Sequence, residues 1–236
     1  MINQRWTNLI DNMVEERKSQ MKQVVKENQD PDFNISTAFI VREGQLSKKV
    51  LKLANEKSAD LILVGKKTTI PGSGVITQRL ARRASCSLLI VPENSQPKVK
   101  KILVPSDFSD YSKDALEEAI EITEKNDGKS EIVCQNVYSV PSGYHFTGKS
   151  YEEFSEIMLM HAQVNYKKFI RKIDTKGHTI TPLYTRDEDD DPVVDILNKA
   201  KEIEASIIII GAKGRTAATA LFSGSLAERL IQINNK

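Results

Sequence analysis

The chain has 236 residues, 39% hydrophobic and 28% charged, which fits one large or two modest folded domains and excludes disordered and collagen-like classes. Its 34 Lys+Arg nearly balance 32 Asp+Glu, so a net charge of +2 does not point to nucleic acid or an anionic membrane as partner. No apolar run approaches the ~18 residues of a membrane span, the first residues lack a secretory signal's apolar region, and two cysteines, Cys86 and Cys134, cannot make a disulfide framework; the expectation is a reduced cytoplasmic protein.

In chain order, the hydrophobic pattern predicts a helix over about 4–28, a strand over 34–41, a helix over 45–57, a strand over 60–64, a helix over 74–84 and a strand over 87–91. The first helix carries an apolar stripe (Trp6, Leu9, Ile10, Met13, Met21, Val24, Val25), read as core packing or an interface. A second series opens with KILV (101–104) and a helix over 109–125 with Ala115, Leu116, Ala119, Ile120 and Thr123 on one stripe. A strand (131–140), a polar loop, a long helix (151–173) and a strand (179–185) follow. The helix over 192–203 takes Asp191 as N-cap and Pro192 as its first residue. SIIIIGA (206–212) is the continuous β-branched run of a strand buried on both faces of a parallel sheet, and a last helix covers 224–233. Strands alternating with helices of this length predict β–α–β units.

The two series are copies. VLKLANEKSADLILVGKK (50–67) matches ILNKAKEIEASIIIIGAK (196–213) at an offset of 146, pairing Leu51 with Leu197, Ala54 with Ala200, Ala59 with Ala205 and Gly65 with Gly211. The helices that follow, GVITQRLARRA and GSLAERLIQI, are offset by 150. This organisation predicts a first domain over 1–97 and a second over 98–236. By the same offsets the first copy's leading strands would fall before Met1 and the second copy's last strand just past Lys236. The expectation is a fragment of a longer tandem protein with exposed sheet edges.

The strongest local signal is GAKGRTAATALFSGS (211–225), between a buried strand and the last helix. Gly211 and Gly214 permit a tight turn and close approach of backbone to a ligand. Gly224 and Ser225 open a helix, where free N–H groups and the helix dipole favour an anion. Lys213 and Arg215 add positive charge, and Thr216 and Ser223 add hydroxyls. A crevice at the carboxyl ends of parallel strands is where such sheets bind ligands, and the combination predicts phosphate binding.

The spacing Gly211-x2-Gly214-x9-Gly224-Ser225, with ILVPSDFSDYSKDALEEAIEI (102–122) and the strands ADLILVG and SIIIIGAKG, resembles the universal stress protein family over essentially the whole chain. The resemblance implies two open α/β parallel sheets with flanking helices, the first lacking its leading strands and the second its last. It implies a member of the ATP-binding type, with or without Mg or another divalent cation. By position, Asp107 would face the adenine, Pro105 and Ser106 would line that pocket through their backbone, and Val137 would meet the adenine edge through its backbone. Gly211, Gly214, Gly224 and Ser225 would hold ribose and phosphates. Read from sequence alone, Asp107 also suits an N-cap of the helix beginning near Ser109. The family often dimerises, so the expected partners are the adenine nucleotide and either a second copy or the other domain, with no nucleic acid and no membrane.

The first copy departs from the pattern: Thr68 replaces the second glycine and Val75 stands where the second copy has Ser225, so it is expected to bind no nucleotide and to serve as a structural partner. Lys66 and Lys67 read as a solvated loop rather than an anion site. DEDDD (187–191) reads as an acidic loop complementing the helix start at Pro192 rather than a cation site. His145, His161 and His178 share no ligand spacing, Ser109 and Cys86 have no paired base, and Arg79, Arg82 and Arg83 with Lys98, Lys100 and Lys101 read as solvated basic surface. The function expected is a nucleotide-binding module whose occupancy biases association. The alternatives are a slow ATPase or self-phosphorylating enzyme, for which no general base is apparent, and a scaffold that binds no nucleotide.

Overall fold

The computed structural model describes residues 2–30, 35–66, 73–212 and 226–233. The chain divides into two compact units, Met1–Ala59 and Asp60–Lys236. The division falls inside the first repeat.

The second unit contains a four-stranded parallel sheet built from β3 (Lys101–Pro105), β4 (Glu131–Tyr138), β5 (Ile180–Arg186) and β6 (Ile207–Ile208), in the order β5-β4-β3-β6. Its central strand β3 fully buries Ile102, Leu103 and Val104, one side chain after another, because both faces of the sheet are covered. On one face α4 (Asp110–Lys125) and α5 (Tyr151–Ile170) bring Ala115, Leu116, Ala119, Ile120, Tyr166 and Phe169 against Ile102, Val104 and Ile132. On the other, α6 (Pro192–Glu202) and α7 (Leu226–Ile233) bring Val193, Ile196 and Leu230 against Leu103. Local signals set the helix starts. Ser109 caps α4 by accepting from Ser112 N, Ser150 and Glu153 form a reciprocal capping box on α5, and Asp191 caps α6 ahead of Pro192. The polar loop after β4 contains a short 3-10 helix, Ser142–Thr147.

The same unit holds the end of the first repeat: β1 (Leu61–Lys66) and β2 (Ser87–Pro92) pair in parallel, joined through α3 (Ser73–Arg83). Helix α3 packs against α7, and Leu80 on α3 and Leu230 on α7, equivalent at the offset of 150, are both buried. The first unit comprises α1 (Ile2–Asn28) and α2 (Leu46–Glu56), with Arg42 paired to Glu56 at 2.9 Å. The repeat is kept in the helices: α2 and α6 differ by 146 at each end.

Three expectations need correction. Residues 35–43 form no strand; their counterpart β5 is held by its ladder to β4, and no β4 counterpart exists for them among the described residues. Strand β6 is only two residues long, paired to β3 on one side, although Ser206 N and Ile209 N still reach Lys101 O and Leu103 O at 2.8 and 2.9 Å. Of the two readings of the α1 stripe, core packing does not hold, since Leu9, Ile10, Met13, Met21 and Val24 are exposed; Trp6 has no described side-chain placement.

Candidate functional site

The β3/β6 pair is a topological switch point: the chain leaves β3 into α4 on one face of the sheet, and α7, which follows β6 in the chain, packs on the other. In open α/β sheets such a switch point is where ligands bind, outside the carboxyl ends of the strands. Pro105 ends β3, and Ser106 N continues the ladder by donating to Gln135 O at 2.7 Å. Asn136 Nδ2 donates to Ser106 O at 2.8 Å, tying the turn to β4.

Asp107 organises the turn into α4. Its Oδ1 accepts from Ser109 N at 3.0 Å and from Ser112 Oγ at 2.7 Å, while Phe108 between them takes a left-handed φ of 64°. The helix N-cap is therefore Ser109, and Asp107 acts two residues earlier as an Asx-turn acceptor. Both elements place the Asp107 carboxylate beside the free amides of the α4 start.

The Val137 backbone lies at the same end of the sheet. Gln135 O faces β3, and Tyr138 O faces β5, where it accepts from Asp187 N at 2.8 Å. Because backbone groups alternate sides with a period of two, the N–H and C=O of Val137 point to the β3 side, beyond Pro105, where β3 has already turned away. That edge offers one donor and one acceptor.

Gly211 lies against the first turn of α4: a Cβ there would stand 2.6 Å from Tyr111 O and 2.8 Å from Tyr111 C. Glycine is thus required by close backbone packing, which sets the start of the glycine-rich segment beside the Asp107 turn. Pro105, Ser106, Asp107, Val137 and Gly211 are brought to one end of the sheet. Lys213, Gly214, Arg215, Gly224 and Ser225 lie outside the described residues.

Sequence reasoning missed Ser112, Asn136 and Gln135, which support this turn; the only signal was the Ser109-x-x-Ser112 capping spacing. Gln135 is fully buried, and its Nε2 donates to Thr185 Oγ1 at 3.0 Å. On the opposite face, burial pushes the Cys134 thiol up to about 12, a hydrogen bond with Ser106 opposing the shift. Lys66, read as solvated, is buried and donates Nζ to Ile231 O at 2.8 Å.

The acidic run complements its helix as expected: Asp191 Oδ1 accepts from Val193 N at 3.1 Å and Asp187 Oδ1 from Asp191 N at 3.0 Å. Among the described residues no group of three or more His, Cys, Asp or Glu is placed to hold a metal ion, and no helix is long and apolar enough to cross a membrane.

The sequence model of the universal stress protein family matches residues 7–92 and again 98–233. The chain is 29% identical over 139 residues to a universal stress protein of Methanocaldococcus jannaschii, covering 59% of this chain and 79% of that one. It is 26% identical over 140 residues to the universal stress protein YxiE of Bacillus subtilis, covering 57% and 93%. The crystal structure of a universal stress protein from Archaeoglobus fulgidus superposes with a TM-score of 0.60 over 94% of this chain and 74% of that one, at 17% identity, which speaks for the fold. With the family pattern matched twice along the chain and the fold in agreement, this protein belongs to the universal stress protein family.

Proposed function

We propose that the second repeat binds an adenine nucleotide, ATP or a close relative, in the crevice at the carboxyl ends of β3, β4 and β6, and that occupancy biases how the protein associates. The observation that carries this reading is the convergence of three groups there: the Asp107 turn, the Val137 backbone edge, and Gly211 packed on Tyr111. A paired donor and acceptor on a strand edge matches the hydrogen-bonding edge of adenine, and Asp107 supplies an acceptor for an amino or hydroxyl hydrogen. Gly214, Gly224 and Ser225, with Lys213 and Arg215, are assigned to ribose and phosphates from their sequence spacing. Mg or another divalent cation enters, on this reading, as the counter-ion of the phosphates.

The functional division follows the repeats, 1–97 and 98–236, with the second as ligand domain and the first, which carries Thr68 and Val75 at motif positions, as structural partner. Packing of α3 on α7 supports pairing of the repeats within one chain. Isothermal titration with ATP tests the reading: the unmodified protein binds, and Gly214→Val, which adds a branched side chain where backbone approaches phosphate, abolishes binding while the far-ultraviolet circular dichroism is kept. Absence of binding to the unmodified protein, or undiminished binding to the variant, overturns it.

A further inference from the structure

Helix α7 follows the glycine-rich segment directly in the chain and is tied to the first repeat at two points. Arg82 on α3 forms a two-pronged ion pair with Glu228, Nε to Oε1 at 3.0 Å and Nη2 to Oε2 at 2.5 Å. Lys66, at the end of β1 and 3% exposed, donates Nζ to the carbonyl of Ile231 at 2.8 Å. That carbonyl lies in the last described turn of α7, toward the negative end of the helix dipole, where an ammonium is favourable. Leu80 on α3 and Leu230 on α7 are both buried, and the two helices pack against each other.

The place of Lys66 in the repeat is informative. At the offset of 146 it corresponds to Ala212, the residue after the first motif glycine of the second repeat. Where the second repeat begins its glycine-rich segment, the first has a buried cation directed into the other repeat's last helix. Sequestering a lysine costs solvation, in keeping with the downward pull of burial on its pKa.

We propose that Lys66 and Arg82 are positioning residues: they hold α7 in the register at which its N-terminal end meets the nucleotide phosphates, so the first repeat sets the phosphate affinity of the second. This rests on the nucleotide reading above. A helix held in place before the ligand arrives avoids the cost of ordering it on binding.

The test is titration of the full chain with ATP and with adenosine, which has the base and sugar but no phosphate. Lys66→Met removes the ammonium and keeps most of the side chain's length. Arg82→Glu places like charges at an exposed contact and so guards against a folding defect confined to the buried site. Each variant is expected to lower the ratio of ATP to adenosine affinity about tenfold. Arg82→Glu combined with Glu228→Arg is expected to restore it. An unchanged ratio in both single variants, including equal weakening of both ligands, overturns the proposal while leaving the nucleotide reading intact. Failure of the unmodified protein to bind ATP overturns that reading and the proposal with it.

Discussion

Strands β1 and β6 are near-copies in sequence and differ in surroundings. Ile207 and Ile209 of the second repeat pack against the cluster of α4 and α5, whereas their counterparts Leu61 and Leu63 are 49% and 63% exposed. Gly211 has the backbone of Tyr111 within 3 Å of where a Cβ would be; at Gly65 the same construction meets nothing within 4 Å. The difference is the β3–α4–β4 unit of the second repeat, for which the described residues of the first show no counterpart. An apolar residue becomes core through what covers it, so a shared pattern has different energetic weight in the two halves.

The largest contrast is expected in thiol chemistry. Buried Cys134 has its pKa raised from 9.0 to about 12, so the thiolate is about one part in ten thousand at pH 8. Ellman titration of the native protein should label Cys86, which is half-buried, and leave Cys134 protected until denaturant is added. Rapid labelling of both would break the contrast.

Next come the apolar pairs. Leu103→Ala should cost ~2–5 kcal/mol in urea unfolding, because Leu103 is fully buried in the sheet, while Leu63→Ala should stay within ~0.5 kcal/mol. The glycine pair sharpens the comparison. Gly211→Ala forces a Cβ onto the Tyr111 carbonyl and should cost ~1–3 kcal/mol, whereas Gly65→Ala should be neutral or stabilising by up to ~1 kcal/mol. Equal effects at the two glycines would mean that the repeats are packed alike.

The smallest effect concerns Asp195, whose counterpart at the offset is Lys49. Its Oδ2 is buried without a hydrogen-bond partner, and burial first, then Asp187, Asp189, Asp191 and Glu188, raises its pKa. A carboxyl whose folded pKa lies above its unfolded one favours folding when protonated, and that contribution is lost as pH rises through the folded value. Asp195→Asn should therefore raise the melting temperature slightly at pH 7, by the equivalent of under ~1 kcal/mol, and the gain should vanish as pH falls through the folded pKa. A loss of stability at pH 7 would contradict this account.

Much of this was legible in the sequence. The 146-residue offset reappears at both ends of α2 and α6, and the cap Asp191 starts its helix through a local hydrogen bond that needs no tertiary partner. What was not legible depended on neighbours. The alternation over 34–41 suits a strand but cannot say whether a strand lies alongside, and the stripe of α1 cannot say what covers it. Within the site, PSDFS marked Asp107, yet its turn-forming bonds to Ser109 and Ser112 and the direction of the Val137 backbone depend on how β3 ends beside β4. Lys66 was misread because a lysine beside glycine looks like solvated loop until the helix that receives it is in place.

The most direct test of the central claim is the stoichiometry of ATP binding to the full chain by isothermal titration. The complete glycine motif in the sequence of the second repeat and its degenerate counterpart in the first, with Thr68 and Val75, predict one nucleotide per chain on the proposed reading. Two per chain, or none, would contradict the account.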